Sequence, residues 1–372
     1  EILIGLVGSE MCIRDSNTPS EPLYIMKIAI ADRKGSFSDY WIKYCEEHSI
    51  PYKVVNPYDT DIVEQVSDCD AFMWHHHHAN FSDTLFAKQL LFSLEQAGKV
   101  VFPNFRTGWH FDDKVGEKYL FEALGVQAAK SWVFYDKKSA YEWIETTDFP
   151  KVFKLRGGAG SANVRLARSA KQARRFVRKA FGRGYPPSNL LFSAKTQWQN
   201  FLKGKGRLYD VAKYIALYLF PKLKGGHLLP RHKGYAYFQE FIPNEGFDYR
   251  LEIANNKAIA MVRMCREGDF RASGGHDDRY DASLIPQDVV EFAFECYDKL
   301  EVQSVALDIV REKESGELYL IEVSYCYGLD EDEFEHGYWT RDGEHHREPF
   351  NGVYWMMEEV IKAVSYSKEG TA

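Results

Sequence analysis

From Met26 onward the chain alternates short apolar runs with stretches of helical period. KIAIAD (27–32) is a continuous apolar run of the kind that parallel sheets bury on both faces. Ser36 to His48 predicts a helix with Tyr40, Ile42, Tyr44 and Cys45 among its larger apolar positions. PYKVVN and DAFMW predict a second and third strand. Ser82 to Ala97 predicts a helix with Ser82 as N-cap, a stripe of Leu85, Phe86, Leu90, Leu91 and Leu94, and Gly98 at its end. KVVFPN predicts a fourth strand. Such alternation implies a small parallel sheet covered by helices. No G-x-G-x-x-G follows the first strand, so a dinucleotide fingerprint is absent.

Beyond this the periods mix. A helix is expected from about Asp112 to Leu124, stopped by Gly125, then a strand (SWVFYD) and a helix over Lys138 to Thr146. PKVFKLRGGAGSANVRLA reads as strand, Gly-rich turn, strand, and Ser169 to Phe181 as a helix that is basic on its outer face. Pro186-Pro187 open a different segment, with helices near 196–204 and 207–219 and Pro221 ending the second. It reads as an insertion, residues 183–234. GYAYFQEFI returns to β structure, FDYRLEIAN and KAIAMVRMC form a hairpin around Asn255-Asn256, and Pro286 to Leu300 is a helix. VALDIVREKESGELYLIEVSYCYG (305–328) predicts a last hairpin turning at Glu314-Ser315-Gly316. On its second strand Leu318, Leu320, Glu322 and Ser324 are expected to share a face. A polar, acidic stretch (329–349) and a helix over Asn351 to Val364 close the chain.

Composition narrows the function class. The chain has 372 residues, 45% hydrophobic, enough for two or three subdomains. No run of 18 apolar residues occurs, which excludes a transmembrane helix. The six cysteines are scattered without a C-x-x-C, which points to reduced thiols in a cytoplasmic protein and away from zinc or a disulfide frame. Charge is uneven. Arg165 to Lys233 hold 17 Lys and Arg against one acid, Asp210, leaving −23 for the remainder of a chain whose net charge is −7. That asymmetry points to an anionic partner at residues 165–233, a polyanion or a membrane surface. The aromatics there fall at helix-core spacing, which weighs against nucleic acid. Residues 1–25 lack a basic n-region and a long apolar core, so they make a poor signal peptide. EILIGLVGSEMCIRDS resembles a translated sequencing adapter. The natural start is therefore expected at Met26, with 1–25 a non-native or disordered leader whose deletion leaves folding and activity intact.

Several residues are candidates for chemistry. With the last turn centred on Ser315, Asp308 lies opposite Glu322. Two bare carboxylates on an apolar hairpin repel, and a hard cation between them removes the conflict; a solvent-facing pair is the other possibility. Lys154 stands at the mouth of RGGAGS, where backbone N–H groups and the Ser161 hydroxyl can approach phosphate, although a tight hairpin explains the glycines as well. Lys114 opens a helix, where the macrodipole disfavours a cation. Gln239 to Ile242 end a strand and either face a purine edge or are simply buried. Arg250, Arg263 and Arg271 bring charge toward the carboxylate hairpin. His75 to His78 follow the third strand, where open α/β sheets bind ligands; a polar loop is the alternative.

In this order the signals resemble the ATP-grasp family: Asp-Lys before a helix, V-x-K before a Gly-rich turn, QEF-I, an acid soon after, Arg in a later strand, then D-[hydrophobic]-x and E-V. EGDFRAS (267–273) looks like the glutamate ligases that modify a ribosomal protein, and D-alanine–D-alanine ligase and glutathione synthetase are further relatives. The resemblance implies an α/β (α+β) ATP-grasp fold, two α+β subdomains gripping ATP behind a small parallel-sheet subdomain. It divides the chain into 26–105 (N-terminal), 106–182 with 235–242 (lid), the basic 183–234 insertion, and 243–372. It implies that Lys114 and Lys154 bind ATP phosphates under a flap containing Gly157, Gly158, Gly160 and Ser161. Gln239, Glu240, Phe241 and Ile242 would line the adenine pocket and Asp248 would sit near the ribose. Arg263 and Arg271 would contact phosphate or acyl phosphate, and Asp308 and Glu322 would hold Mg²⁺, with Mn²⁺ as a substitute. Ser324 stands where the family usually has Asn, so a second metal position there rests on a shorter ligand. The implied reaction joins a small-molecule or polymer-linked carboxylate to an amine through an acyl phosphate. Kinase-like phosphotransfer and a nucleotide-responsive polyanion-binding protein are the alternatives; substrate and oligomeric state stay open.

Overall fold

The computed structural model describes residues 26–369 apart from 159–162, 188–189, 203, 205, 221–229, 266–267, 273–276 and 329–330. The expected leader, Gly160, Ser161, Pro221, Glu267 and Ser273 therefore lie outside the described residues.

The N-terminal part runs β1 (Ile28–Ala31), α1 (Phe37–Glu47), β2 (Tyr52–Val55), α2 (Ile62–Gln65), β3 (Ala71–Trp74), α3 (Phe81–Gln96), β4 (Val100–Phe102) and α4 (Phe105–Gly108). Its strands form a parallel sheet in the order β2-β1-β3-β4. Ser36 caps α1 by accepting from the Ser38 N–H. The cap of α3 is Asn80 rather than the expected Ser82, because the Asn80 carbonyl oxygen reaches the Ser82 N–H and starts the helix one residue earlier. That start leaves Leu85 at 62% exposure, outside the expected stripe, while Leu90, Leu91 and Leu94 are buried.

The middle of the chain holds α5 (Lys114–Leu124), β5 (Ser131–Phe134), α6 (Lys137–Thr146), β6 (Lys151–Lys154), β7 (Arg165–Ala167), α7 (Ala170–Phe181), α8 (Leu190–Leu202), α9 (Leu208–Leu219) and β8 (Ala236–Glu240). Its antiparallel sheet has the order β5-β8-β6-β7. α7 places Ala173, Val177 and Ala180 against Phe153 and Phe238, so its arginines and lysines face outward. Inside the insertion the first helix begins at Leu190, about a turn and a half earlier than the expected 196.

The last part holds β9 (Phe247–Ala254), β10 (Lys257–Met264), β11 (Asp278–Arg279), α10 (Gln287–Leu300), β12 (Ser304–Arg311), β13 (Leu318–Ser324), β14 (Tyr338–Thr340), β15 (His345–His346) and α11 (Tyr354–Glu369). The sheet order is β13-β12-β9-β10-β14-β15, with β11 paired to β10. Asn255 and Asn256 both take positive φ, the requirement of a tight two-residue hairpin. One face packs on α10 through Leu251, Val289, Val290, Leu307 and Leu320. The N-terminal sheet and the last sheet share a core in which Ile28, Phe102, Ile259 and Met356 meet. Among the described residues no helix is long and apolar enough to cross a membrane.

Candidate active site

The last hairpin brings Asp308 directly opposite Glu322. Simple alternation on β13 does not produce this arrangement. The register shifts between Asp308 and Ile309, so that Ile309 faces Leu320 and Ile321 is the extra residue of a β-bulge. The expectation that Leu318 and Leu320 share a face with Glu322 and Ser324 is therefore corrected. Leu318 and Leu320 lie in the core with Val323, while Glu322 comes to the opposite face beside Asp308. The bulge also frees the Ile321 carbonyl, which accepts from Gln239 Nε2 at 3.2 Å and ties β8 to the hairpin.

Each carboxylate meets cations from other elements. Asp308 Oδ1 accepts from Arg250 Nε at 2.9 Å, and Arg263 Nη2 lies 2.9 Å from Asp308 Oδ2. Burial pushes the Asp308 carboxyl up, but Arg250 and Arg263 outweigh it and hold the group ionised far below the usual range. Arg263 also donates to both oxygens of Asp248, at 2.7 and 2.8 Å. Burial dominates at Asp248 and raises it to about 6. Glu322 accepts from Lys114 Nζ at 2.9 Å. Lys114 is only 4% exposed; burial lowers its proton affinity, and Glu322, Glu117 and Asp112 more than reverse that. Lys154, also buried, makes no ion pair among the described residues. Burial lowers its pKa and the nearby Lys114 adds to the effect, while Glu322 opposes it.

Arg156, Gly157 and Gly158 approach the start of α5. Asp113 caps α5 through the Gly116 N–H. Asp112, at positive φ, accepts from the Gly158 N–H at 2.6 Å. A Cβ on Gly157 would stand 2.6 Å from Asp112 Oδ2, so this close approach requires glycine. The Lys114 N–H donates to the Arg156 carbonyl at 2.9 Å, and Lys114 Nζ to the Gly158 carbonyl at 3.3 Å. Lys114, Lys154, Gly157, Gly158, Gln239, Asp308 and Glu322 thus come together. Glu240 turns its carboxylate to Lys151 at 2.8 Å, and Phe241 and Ile242 follow the end of β8. Arg271 folds onto Asp269 and donates to the Val164 carbonyl at 3.3 Å. Ser324 pairs with Ala306 on the same face as Glu322.

One feature was not singled out from sequence. Glu117, one turn after Lys114, is buried beside the lysines, and its Oε1 has no hydrogen-bond partner among the described residues. Its spacing from Lys114 on one helix face was the available signal. The histidines after β3, read from sequence as a ligand site or a polar loop, lie in a loop in which His75 and His76 are buried and His77 and His78 half-buried. His75 Nδ1 accepts from the Phe37 N–H at 3.2 Å, and its Nε2 lies 2.9 Å from Cys326 Sγ, two residues beyond Ser324.

A carboxylate–lysine cluster thus lies between the last hairpin and the sheet that carries Lys154, with the parallel N-terminal sheet packed against the last sheet. Residues 231–338 match the RimK-like ATP-grasp domain. That stretch takes in Gln239 to Ile242, Asp248, Arg263, Arg271, Asp308 and Glu322, and leaves Lys114 and Lys154 outside. No curated protein sequence matches the chain. Among solved structures, the biotin carboxylase domain of 2-oxoglutarate carboxylase from Hydrogenobacter thermophilus superposes with a TM-score of 0.52 at 13% identity, covering 90% of this chain and 69% of that one. D-alanine–D-alanine ligase from Bacillus anthracis complexed with ATP gives 0.51 at 11%, covering 93% and 100%. The ATP-grasp ligase PsnB, complexed with minimal precursor, Mg and ADP, gives 0.50 at 12%, covering 91% and 98%. The fold is the ATP-grasp fold.

Proposed function

We propose that this chain is an ATP- and Mg²⁺-dependent ligase that activates a carboxylate as an acyl phosphate for attack by an amine. The observation that carries this is the Asp308–Glu322 pair, set opposite each other by a bulge and facing Lys114 and Lys154. Two oxygen-donor side chains suit Mg²⁺, which usually takes one or two carboxylates and fills its remaining positions with phosphate and water. Among the described residues no group of three or more His, Cys, Asp or Glu has metal-ligating geometry, so a softer, closed metal cage is not the alternative. The ligands of two structural neighbours, ATP in one and Mg with ADP in the other, support the same reading.

In this proposal Asp308 and Glu322 hold the cation and Ser324 lies within the same face. Bound Mg²⁺, or Mn²⁺, supplies charge neutralisation to the phosphates. Lys154, without an acid of its own, takes a phosphate oxygen as its counter-ion. Lys114 exchanges Glu322 for phosphate. Gly157 and Gly158 bring backbone close to the nucleotide, with Gly160 and Ser161 in the same turn. Gln239 to Ile242 face adenine, Glu240 through its main chain. Asp248 fixes the Arg263 guanidinium, which with Arg271 balances charge on the transferring phosphoryl group. The amine attacks the carbonyl carbon of the acyl phosphate, the C–N bond forms as phosphate leaves, and the amine gives up a proton to solvent.

An acceptor screen read by ADP release tests this. ADP formation that requires both a carboxylate and an amine, and that is abolished in Glu322→Ala with the fold intact, is expected. ADP release on an alcohol acceptor would make the chain a phosphotransferase. Nucleotide binding without turnover on any acceptor pair would make it a binding protein.

A further inference from the structure

A second charged site lies where β7 meets α7, with none of Lys114, Lys154, Asp308 or Glu322 in its lining. A cavity of about 510 Å³ is walled by Arg165 of β7, by Arg175, Arg178 and Lys179 of α7, and by Arg183. No acidic side chain lines it. Its apolar floor is Phe176 and Tyr185, and the Tyr185 ring carries cations on both sides of the cavity: the Arg165 guanidinium at 4.8 Å and Lys179 Nζ at 4.4 Å from its centroid. Arg165 Nη1 is buried without a hydrogen-bond partner. Arg231 crosses the rim and is anchored there, donating to the Arg183 and Gly184 carbonyls at 2.9 and 2.8 Å. Burial lowers the Lys179 pKa, and Arg165, Arg183, Arg231 and Arg175 all push it the same way.

Cations at the end of a helix are favoured by the macrodipole, which accounts for Arg178 and Lys179 in the last turn of α7. It does not account for Arg165, which comes from a strand, or for Arg183 and Arg231, which follow the helix. Like charges converging without an acid cost free energy that an anion recovers. Arginine matches phosphate through paired N–H groups. Five charges within so small a volume call for a ligand of high charge density. Clustered phosphates supply that in one group, whereas carboxylates would have to come from several residues at once.

We propose that this cavity binds a group carrying clustered phosphates. The insertion indicates that the group is borne on a lipid. Its two ends meet at the rim, where Tyr185 and His232 form an isolated bridge, and α8 and α9 rise from there. Among the described residues, none of either helix belongs to any of the four cores. Nine of the large apolar side chains that lie exposed fall between Trp198 and Phe220. On α9, Leu208, Ile215 and Leu219 make one stripe, and Trp198 and Leu202 make another on α8, next to Lys195. Exposed apolar stripes with Trp, Tyr and Lys are the signature of helices that lie in a membrane interface.

Two probes test the site without ATP or any acceptor, so the outcome is independent of the ligase reading. Tripolyphosphate is titrated into the full chain by calorimetry. Phosphatidylcholine vesicles containing a bisphosphorylated phosphoinositide are sedimented with it, beside vesicles of phosphatidylcholine alone. Arg175→Gln with Arg178→Gln removes two exposed cations of the cavity, and Arg168→Gln with Lys171→Gln removes the same charge outside it. Each charge-assisted contact is worth about tenfold, so the cavity variant should bind about 100-fold more weakly and the control within about threefold of wild type. Vesicle binding without tripolyphosphate binding supports the lipid-borne source, and tripolyphosphate binding alone supports a free phosphate ligand at the same site. Equal loss in both variants, the same binding with sodium sulfate at matched ionic strength, or no binding of either probe overturns the proposal.

Discussion

Lys114, on a helix that follows the N-terminal sheet, reaches Glu322 on the far hairpin at 2.9 Å and neutralises the carboxylate that faces Asp308. The lysine therefore stands where a bound cation and a phosphate would otherwise share the charge. Nucleotide and metal should bind cooperatively, because phosphate draws Lys114 away and releases Glu322. Lys114→Met is expected to raise the affinity for Mn²⁺ alone by about tenfold and to lower ATP affinity by a similar factor. Paramagnetic titration of Mn²⁺ with and without nucleotide measures both, and unchanged Mn²⁺ affinity would show that the pair does not compete with metal.

Arg263 is buried between Asp248 and Asp308 and donates to both. Removing it takes the guanidinium from Asp248 and leaves Asp308 with Arg250 alone. Arg263→Met should cost about 3–5 kcal/mol. Arg263→Lys keeps the charge, loses the fork, and should cost less. Urea denaturation of the two variants against wild type gives the comparison, and equal stabilities would contradict the bridging role.

The structure also predicts acid lability. Burial holds His76 down to about 3 and His110 to about 4, so both are neutral in the fold. A folded-state pKa below the unfolded one means the unfolded chain binds protons first. The associated stability is fully present above about pH 6.5 and is lost as pH falls toward the folded values. Between pH 6.5 and 5 each imidazole should remove roughly 1.5 kcal/mol. His110→Leu, which replaces a ring whose two nitrogens have no partner, should flatten this slope. Thermal unfolding across that pH range reads the effect.

Gly157 has no room for a Cβ beside Asp112. Gly157→Ala should displace the Asp112–Gly158 contact and weaken ATP binding by about tenfold or more, with little change in overall stability, because the turn lies outside the hydrophobic cores. Fluorescent-nucleotide binding and thermal unfolding together separate the two effects.

Much of this molecule was legible from periodicity. Strands β1 and β3 are apolar runs buried along their whole length inside a parallel sheet, and helices such as α5 and α10 carry their stripes and stops locally. A turn centred on Ser315 predicted Asp308 opposite Glu322, but the register next to the turn (Arg311 to Leu318, Ile309 to Leu320) would put Ile321 there, and the bulge restores the pair. What alternation could not give was the face of Glu322. A strict period of two places it with Leu318 and Leu320, and only the extra residue Ile321, set by packing of those leucines on α10 and by Gln239 taking the freed carbonyl, turns it toward Asp308. The burial of His75 and His76 was likewise decided by neighbours distant in sequence, whereas the Asn80 cap of α3 is a local contact to the Ser82 N–H. The sequence by itself determined which residues could carry charge and where elements begin and end within a few positions. The tertiary structure decided which charges meet, because Lys114, Glu322, Arg263 and Asp308 come from separate elements whose juxtaposition depends on shared cores and not on any local pattern.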